Sequence, residues 1–383
     1  MKQKFNIINL KLKIMKKLNL ILVIAVLFAA PFFQSCEKNE VPKKTESIIP
    51  ESFKVDIPDA ISNANTQKSA MLANVDTLKG NDIYQNLRTF IAVGEGAADL
   101  VQDIMLGIAV YDINHAMSLS YQSDEDGRIK NLEVIEGSTF DGQSWEYELT
   151  ISDAEAASNA DEGKALQVFW NVSPVRGIAI IKPYNCNRNE QEENIDAMFK
   201  VTYSEAGDMG YDKHMIVEIA GLPLADPLEN CYSVSALKMF VGRNGDVVDV
   251  YGNTEHPNAI FINGDAGFDW AFVASSSKIN DIAVAEVGLP SNTLDATDRA
   301  TLLETYSIKN VFTTQIYEQW PTIDSTSIQT FLHNTEAPGF FDRNGFVQGG
   351  TAPNSQYDTY VANVANLVPY NPIDINELSI NFK

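Results

Sequence analysis

Cysteine is scarce in this chain, with only Cys36, Cys186 and Cys231 among 383 residues. No two of them stand close enough for a Cys-x-x-Cys redox centre or a thiolate zinc knuckle, and none has a histidine beside it. Histidine is nearly as rare: His115, His214, His256 and His333 are scattered, so no His-Glu-x-x-His zinc motif exists. A Gly-x-Ser-x-Gly nucleophile elbow and a phosphate-binding P-loop are also missing. These absences exclude the catalytic and metal sites that a sequence encodes locally. A triad gathered from distant segments, or a carboxylate pair drawn from the 51 Asp and Glu, would leave no local trace. The sequence therefore assigns no catalytic residue, no metal ligand and no cofactor.

Positive charge is the second shortage. Lys and Arg total 28 against 51 Asp and Glu, a formal charge of −23. Such a surface repels nucleic-acid phosphates and anionic lipid headgroups, which excludes nucleic acid as a partner. It suits solubility, cation binding or a basic protein partner.

The basic residues that do occur are unevenly placed. Residues 1–35 hold six Lys and no acidic residue, so removing them takes the basic total from 28 to 22 and the charge to −29. Within that segment Leu20–Phe33 is a 14-residue apolar run preceded by Lys16-Lys17 and followed by Ser35-Cys36. The run is short for a membrane span and matches the core of a signal peptide. Phe33-Gln34-Ser35-Cys36 resembles a bacterial lipobox, with Ser35 as the small residue before the Cys, although Phe33 and Gln34 depart from the commonest Leu-Ala/Ser pattern. With Glu37-Lys38-Asn39-Glu40 behind it, the segment resembles the start of surface lipoproteins of the Bacteroides–Flavobacterium group. The resemblance implies lipidation at Cys36 and an outer-membrane address, with the membrane contacted through the lipid. It covers about 40 residues and carries no activity. Cys186 and Cys231 then remain as an even pair, which reads as a disulfide in an oxidising envelope, two buried thiols being the alternative. A bridge closing that loop would stabilise by about 4 kcal/mol on the chain-entropy model.

What the chain has in plenty is period-two alternation. In Trp145-Glu146-Tyr147-Glu148-Leu149-Thr150-Ile151 the apolar residues share one face and the polar ones the other. Similar runs recur through 117–289, joined by turn residues such as Asp124-Glu125-Asp126-Gly127 and Asn244-Gly245. Such short connections require antiparallel neighbours. The expectation is an α+β fold: a strongly curved antiparallel meander of about ten strands, open or closed as a barrel, covered by N-terminal and C-terminal helices.

The remaining organisation follows from composition. Residues 36–57 lack periodicity and read as a tether, leaving 58–383 as one folded domain. Two helices are expected in 58–116, one carrying Ile83, Leu87, Phe90 and Ile91 and the next beginning near Glu95. Ile104–Val110 is apolar enough to be buried nearly all round. Gly94-Glu95-Gly96 superficially matches a dinucleotide loop but follows a helix, and reads instead as the break between helices. After Pro290 come helices over Ala296–Glu304 and Ile308–Gln319, a short one around Ile328, a hairpin at Phe340–Val347 with an Asn344-Gly345 turn, and a last strand within Ile373–Phe382.

Several residues have both a functional and a structural reading. Gln122, Asp124, Asp126, Gly127, Ile129 and Glu133 fall at EF-hand spacing, but Gln122 is not Asp and the flanks read as strands, which favours a hairpin turn. The acidic stretches Asp153–Glu162 and Asn187–Asp196 read as solvated hairpin tips, with a cation site as the sharper option. His214 and His256 sit beside turns in ordinary surface settings. Trp145 and Trp270 alternate as core aromatics do, although tryptophan can also stack on sugars. The sequence thus leads to a lipid-anchored, non-enzymatic envelope protein that binds an apolar ligand or a surface protein or glycan. An extracellular hydrolase acting on glycan or another polymer is the alternative.

Overall fold

The computed structural model describes residues 48–50, 52–62, 80–109, 113, 115–189, 195–224, 233–259 and 267–383. Its centre is one antiparallel sheet of thirteen strands in strict chain order. They are β1 (Met117–Gln122), β2 (Ile129–Phe140), β3 (Gln143–Asp153), β4 (Lys164–Val172), β5 (Val175–Ile181), β6 (Met198–Ser204) and β7 (Lys213–Ala220). These are followed by β8 (Ala236–Asn244), β9 (Val247–His256), β10 (Phe268–Ser277), β11 (Ile282–Gly288), β12 (Gly339–Asp342) and β13 (Gly345–Gly349). The order is linear, so the meander is open and not a closed barrel. It has thirteen strands where about ten are expected, partly because the late hairpin β12–β13 joins β11 and extends the same sheet.

The connections follow the turn chemistry with an offset. Asn244 pairs with Val247, so Gly245 and Asp246 are the central turn residues, and Gly245 takes a φ of 55°. Glycine at the first central position is the type II′ arrangement, whose twist matches the strands. At the other Asn-Gly pair, Asp342 opposes Gly345 and the turn centres on Arg343 and Asn344. Both Asn-Gly pairs mark their hairpins but sit one residue off the expected position.

Each face of the sheet has its own cover. On the inner face, Leu166, Val168, Trp170, Ala179, Val201, Met215, Val217, Leu237, Met239 and Phe272 belong to one large apolar cluster. Across it lies the helix α1 (Gly80–Ala109), about 45 Å long at the usual rise. It is one continuous helix where two are expected. Gly94 ends nothing: a Cβ there would lie 2.5 Å from the Met239 Cε, so the glycine lets the helix backbone approach β8. A mid-helix glycine costs about 0.5–1 kcal/mol against alanine, which packing of the whole apolar stripe readily offsets. The expectation of burial all round fails at Leu106, which is 46% exposed.

Residues 52–57 do not belong to a tether. Phe53, Val55 and Ile57 alternate into the inner cluster, with Phe53 stacked on Tyr203 at 5.6 Å and seated over Gly177. The strap is held along its length. The Trp170 Nε1 donates to the Ile48 carbonyl at 2.6 Å, the Phe53 amide to Gln102, and the Ala60 amide to Asp281 Oδ1 at 2.8 Å.

The section after β11 serves both faces. Its π-helical turn Ala300–Thr305 packs Leu302 and Leu303 against Val273, Ile282 and Val284 on the outer face, in place of an ordinary helix over 296–304. Then α3 (Ile308–Gln319) and α4 (Ser325–Phe331) turn Ile308, Phe312, Ile316 and Ile328 to the inner cluster beside α1. Earlier in the chain, the short helix α2 (Pro183–Cys186) follows β5. After β13 the chain returns to the outer face with α5 (Asp358–Val364) and α6 (Pro372–Asn376). No strand forms within 373–382. Residues 377–383 instead cross the outer face, where Ile380 joins Trp145, Phe169, Ile178 and Ile180.

Trp145 therefore does not share a face with Tyr147 and Leu149, as the alternation predicts. Gly137 on the partner strand has a φ of 72°, and the β3–β4 ladder ends at Tyr147 opposite Trp170. Beyond that point the hairpin tip turns over, and Trp145 packs with Phe140 and Phe169 instead.

Glycine substitutions at these contacts should separate rigid from yielding neighbours. A Cβ at Gly288 would lie 1.8 Å from the Leu302 carbonyl oxygen, which is backbone, whereas the Gly94 neighbour is the free end of a Met side chain. Gly288→Ala is expected to cost at least about 1–3 kcal/mol in urea unfolding, and Gly94→Ala less than about 1 kcal/mol.

Candidate functional site

The residues singled out by sequence are not gathered in one place. Cys36 and Cys231 lie outside the described residues, so the lipidation site and the Cys186–Cys231 bridge are not on view. Cys186 ends α2, half-buried, with its Sγ 3.6 Å from the Ala165 carbonyl oxygen. The 124–127 loop is a hairpin turn between strands: the Ser123 amide donates to the Arg128 carbonyl at 2.8 Å, and Asp126 accepts from Lys130 at 2.9 Å.

Both central histidines are buried, contrary to the surface expectation. His214 stacks on Phe240 with its Nδ1 3.4 Å from Asp208, and burial lowers its pKa more than that carboxylate raises it. His256 lies between Phe90 and Trp270, with Nε2 2.7 Å from the Thr254 hydroxyl. That hydroxyl–imidazole pair is closed off from solvent by the aromatic rings, which leaves no approach for a substrate. Of the four tryptophans, Trp145, Trp170 and Trp270 are core residues, and Trp320 alone is exposed, at 47%.

Two charged clusters were not legible in the sequence. The first joins the ends of β2 and β3 to the loop after α2. Asp153 is fully buried rather than a solvated tip residue, and its Oδ2 lies 2.7 Å from Arg128, 3.6 Å from Lys130 and 3.3 Å from Arg188. Asp126 accepts from Lys130 and from the Arg188 amide. Burial alone would raise both carboxyls, but these hydrogen bonds and charges outweigh it and hold both below the ordinary range. Cations and anions here satisfy one another.

The second cluster lies on the outer face of β9 and β10. Asp269 is directly opposite Glu255, and Asn253 precedes Glu255 by two residues on the same face. The Asn253 Nδ2 donates to Asp269 Oδ2 at 3.4 Å, and the Ser235 hydroxyl donates to Glu255. Burial, reinforced by the Glu255 charge, pushes the Asp269 carboxyl well above its usual range. Its surroundings are the reverse of those of Asp153.

The β1–β2 end of the sheet faces solvent. Among the described residues β1 pairs on one side only, with β2. Outer-face residues Ser118, Ser120, Gln122, Asn131, Glu133 and Ile135 are all exposed there, because the C-terminal section begins its cover at β3. A shallow pocket of about 390 Å³ lies nearby, lined by Ser138, Ser144, Trp145 and Lys383. The Lys383 Nζ bonds Glu148 at 2.6 Å. Among the described residues no three His, Cys, Asp or Glu side chains converge as a metal-binding group.

The Asp153 cluster predicts an acid-labile fold. A carboxyl with a lowered folded pKa adds stability above its unfolded value, near 4, and loses it as pH falls through the folded value. The urea midpoint is therefore expected to drop between about pH 5 and pH 3. Asp153→Asn should cost about 1–3 kcal/mol at pH 7, because Arg128 and Arg188 lose a counter-charge and the buried Lys130 keeps only Asp126, and should flatten that pH dependence.

Comparison with known proteins finds no matching family model, no matching curated protein and no matching solved structure.

Proposed function

We propose that this chain is a non-enzymatic cell-envelope binding module, anchored through lipid on Cys36 at the outer membrane, whose recognition element is the open edge of β1. The observation that carries this reading is the edge itself. Natural sheets blunt their edges with charge, proline, bulges or brevity. Met117-Ser118-Leu119-Ser120-Tyr121-Gln122 has no charge and no proline, and it pairs with β2 residue for residue without a register shift. The opposite edge is blunted: β13 is short, begins and ends with glycine, and its pairing with β12 has a shift at Phe340/Phe341.

An edge of this kind binds an extended segment by adding it as a strand, with main-chain hydrogen bonds for affinity. The surrounding charge suggests which segment. Asp124, Glu133 and Glu136 are exposed beside β1, and the chain carries −23 overall, so the favoured occupant is an extended basic stretch of a partner protein.

The other binding reading, an apolar ligand between sheet and helix, has less support. The sheet's curl around α1 would create such a space, but Phe53, Trp170, Met239 and the α1 stripe occupy it, at separations too close for a Cβ at Gly94 or Gly177. A hydrolase reading lacks a solvent-open group of converging acid, base and nucleophile among the described residues.

The soluble chain from Glu37 onward should bind fluorescent extended peptides rich in Lys in preference to acidic peptides of equal length. Amide exchange should slow across 117–122 in the complex, and a Ser118→Lys/Ser120→Lys variant should lose the binding while keeping its circular dichroism. Equal indifference to both peptides would contradict the reading. So would a concentration-dependent dimer protecting β1, which would assign the edge to a second copy. A stoichiometric apolar molecule in an organic extract would favour the carrier instead.

A further inference from the structure

We propose that Asp269, Glu255 and Asn253 form a site for a divalent cation of the calcium type on the outer face of β9 and β10. The inference is independent of the β1 edge and begins from an imbalance of charge. Asp269 and Asn253 are fully buried and Glu255 is 9% exposed. Asp269 and Glu255 are directly opposed across the ladder, where side-chain origins lie about 5 Å apart. With both ionised, like charges at that separation would repel, and low dielectric would strengthen the repulsion.

No described cation relieves it. The residue opposite Asn253 on the other neighbouring strand is Lys238, but its Nζ turns to Glu218 at 3.3 Å and lies 4.8 Å over the Tyr370 ring. Among the other buried carboxylates, Asp153 has three basic side chains around it and Asp249 accepts from the Tyr211 hydroxyl at 3.0 Å.

The second observation comes from the neutral member of the group. Asn253 Oδ1 is buried and accepts no hydrogen bond, and Asp269 Oδ1 is in the same condition. Buried acceptors are nearly always satisfied, so two orphaned oxygens on adjacent strands and one face point to a missing electropositive centre. The oxygen donors are the two carboxylates and the Asn253 amide, which would turn its Oδ1 to the ion in place of the Nδ2 that faces Asp269. Such a set suits a hard cation and gives no preference for zinc or copper. Calcium tolerates irregular oxygen shells completed by carbonyls and water, whereas magnesium requires a tight octahedron. Such a site would explain why the paired ends of β9 and β10 hold two acids and an amide.

The test uses the chain from Glu37 onward, dialysed against EDTA and titrated calorimetrically with calcium chloride and with magnesium chloride. Calcium is expected to bind with one equivalent per chain, more tightly than magnesium. It should raise Tm by about 5 °C at a hundredfold excess over Kd. Asp269→Asn should abolish both the heat and the shift. Should that variant fail to fold, Glu255→Gln and terbium binding to the unaltered chain give the same information. No calcium response up to millimolar concentrations would overturn the proposal, and would leave Asp269 holding a proton shared with Asn253. A calcium response that persists in Asp269→Asn would overturn it too, by placing the ion elsewhere.

Discussion

The structure depends on covering both faces of one very wide sheet. Thirteen antiparallel strands in chain order give every inner strand two partners, but hydrogen bonding alone does not bury the alternating side chains. The strands of the middle are apolar on both faces: Val168 and Trp170 turn inward while Phe169 turns outward, and Ile178 and Ile180 back onto Ala179 and Ile181. Such strands cannot face water on either side. The segments flanking the meander supply the two covers, the strap at 52–62 with α1 inside and the returning C-terminal section outside. The local close contacts follow from this arrangement. Gly177 is bare because Phe53 lies on it, and Gly288 is bare because the Leu302 carbonyl does.

The same constraint explains what the sequence discloses. Hairpins were legible because alternation and turn residues are local, and each strand in this sheet pairs with its neighbours in the chain. Antiparallel meander, helical flanks and late hairpin were all readable on that basis. The strap was missed although Phe53, Val55 and Ile57 alternate, because its partners Trp170, Tyr203 and Met215 lie far along the chain. The burial of Asp153, His214 and His256 was hidden for the same reason. An acidic residue beside a turn looks solvated until Arg188, brought in from another hairpin, closes over it. At Gly94 the sequence suggested a helix break, because a packing glycine and a capping glycine are the same letter. Of the candidate sites, neither the unblunted β1 edge nor the Asp269 group could be recognised before strand order and register were known. Register is what sets Asp269 against Glu255 and leaves β1 outermost.

The charge distribution also acquires structure. A net charge of −23 is mostly a surface property, but several acids lie inside, two groups of them in opposite settings. One is matched by Arg128, Lys130 and Arg188, so it ties the hairpins of β2–β3 and α2 together at the cost of sensitivity to acid. The other has no matching base among the described residues. The unmatched surplus outside surrounds an uncharged edge strand, so electrostatics would select an approaching segment by charge, while main-chain pairing would hold it by shape.

The measurement that bears most directly on this account is hydrogen exchange on the chain in membranes, where the proposed lipid on Cys36 would hold it, compared with the purified chain. The account requires the β1 amides at 117–122 to exchange quickly in the purified protein and slowly in the membranes, with β4–β11 slow in both. Fast exchange at β1 in both settings would mean that the edge stays open, and the binding role proposed for it would be wrong.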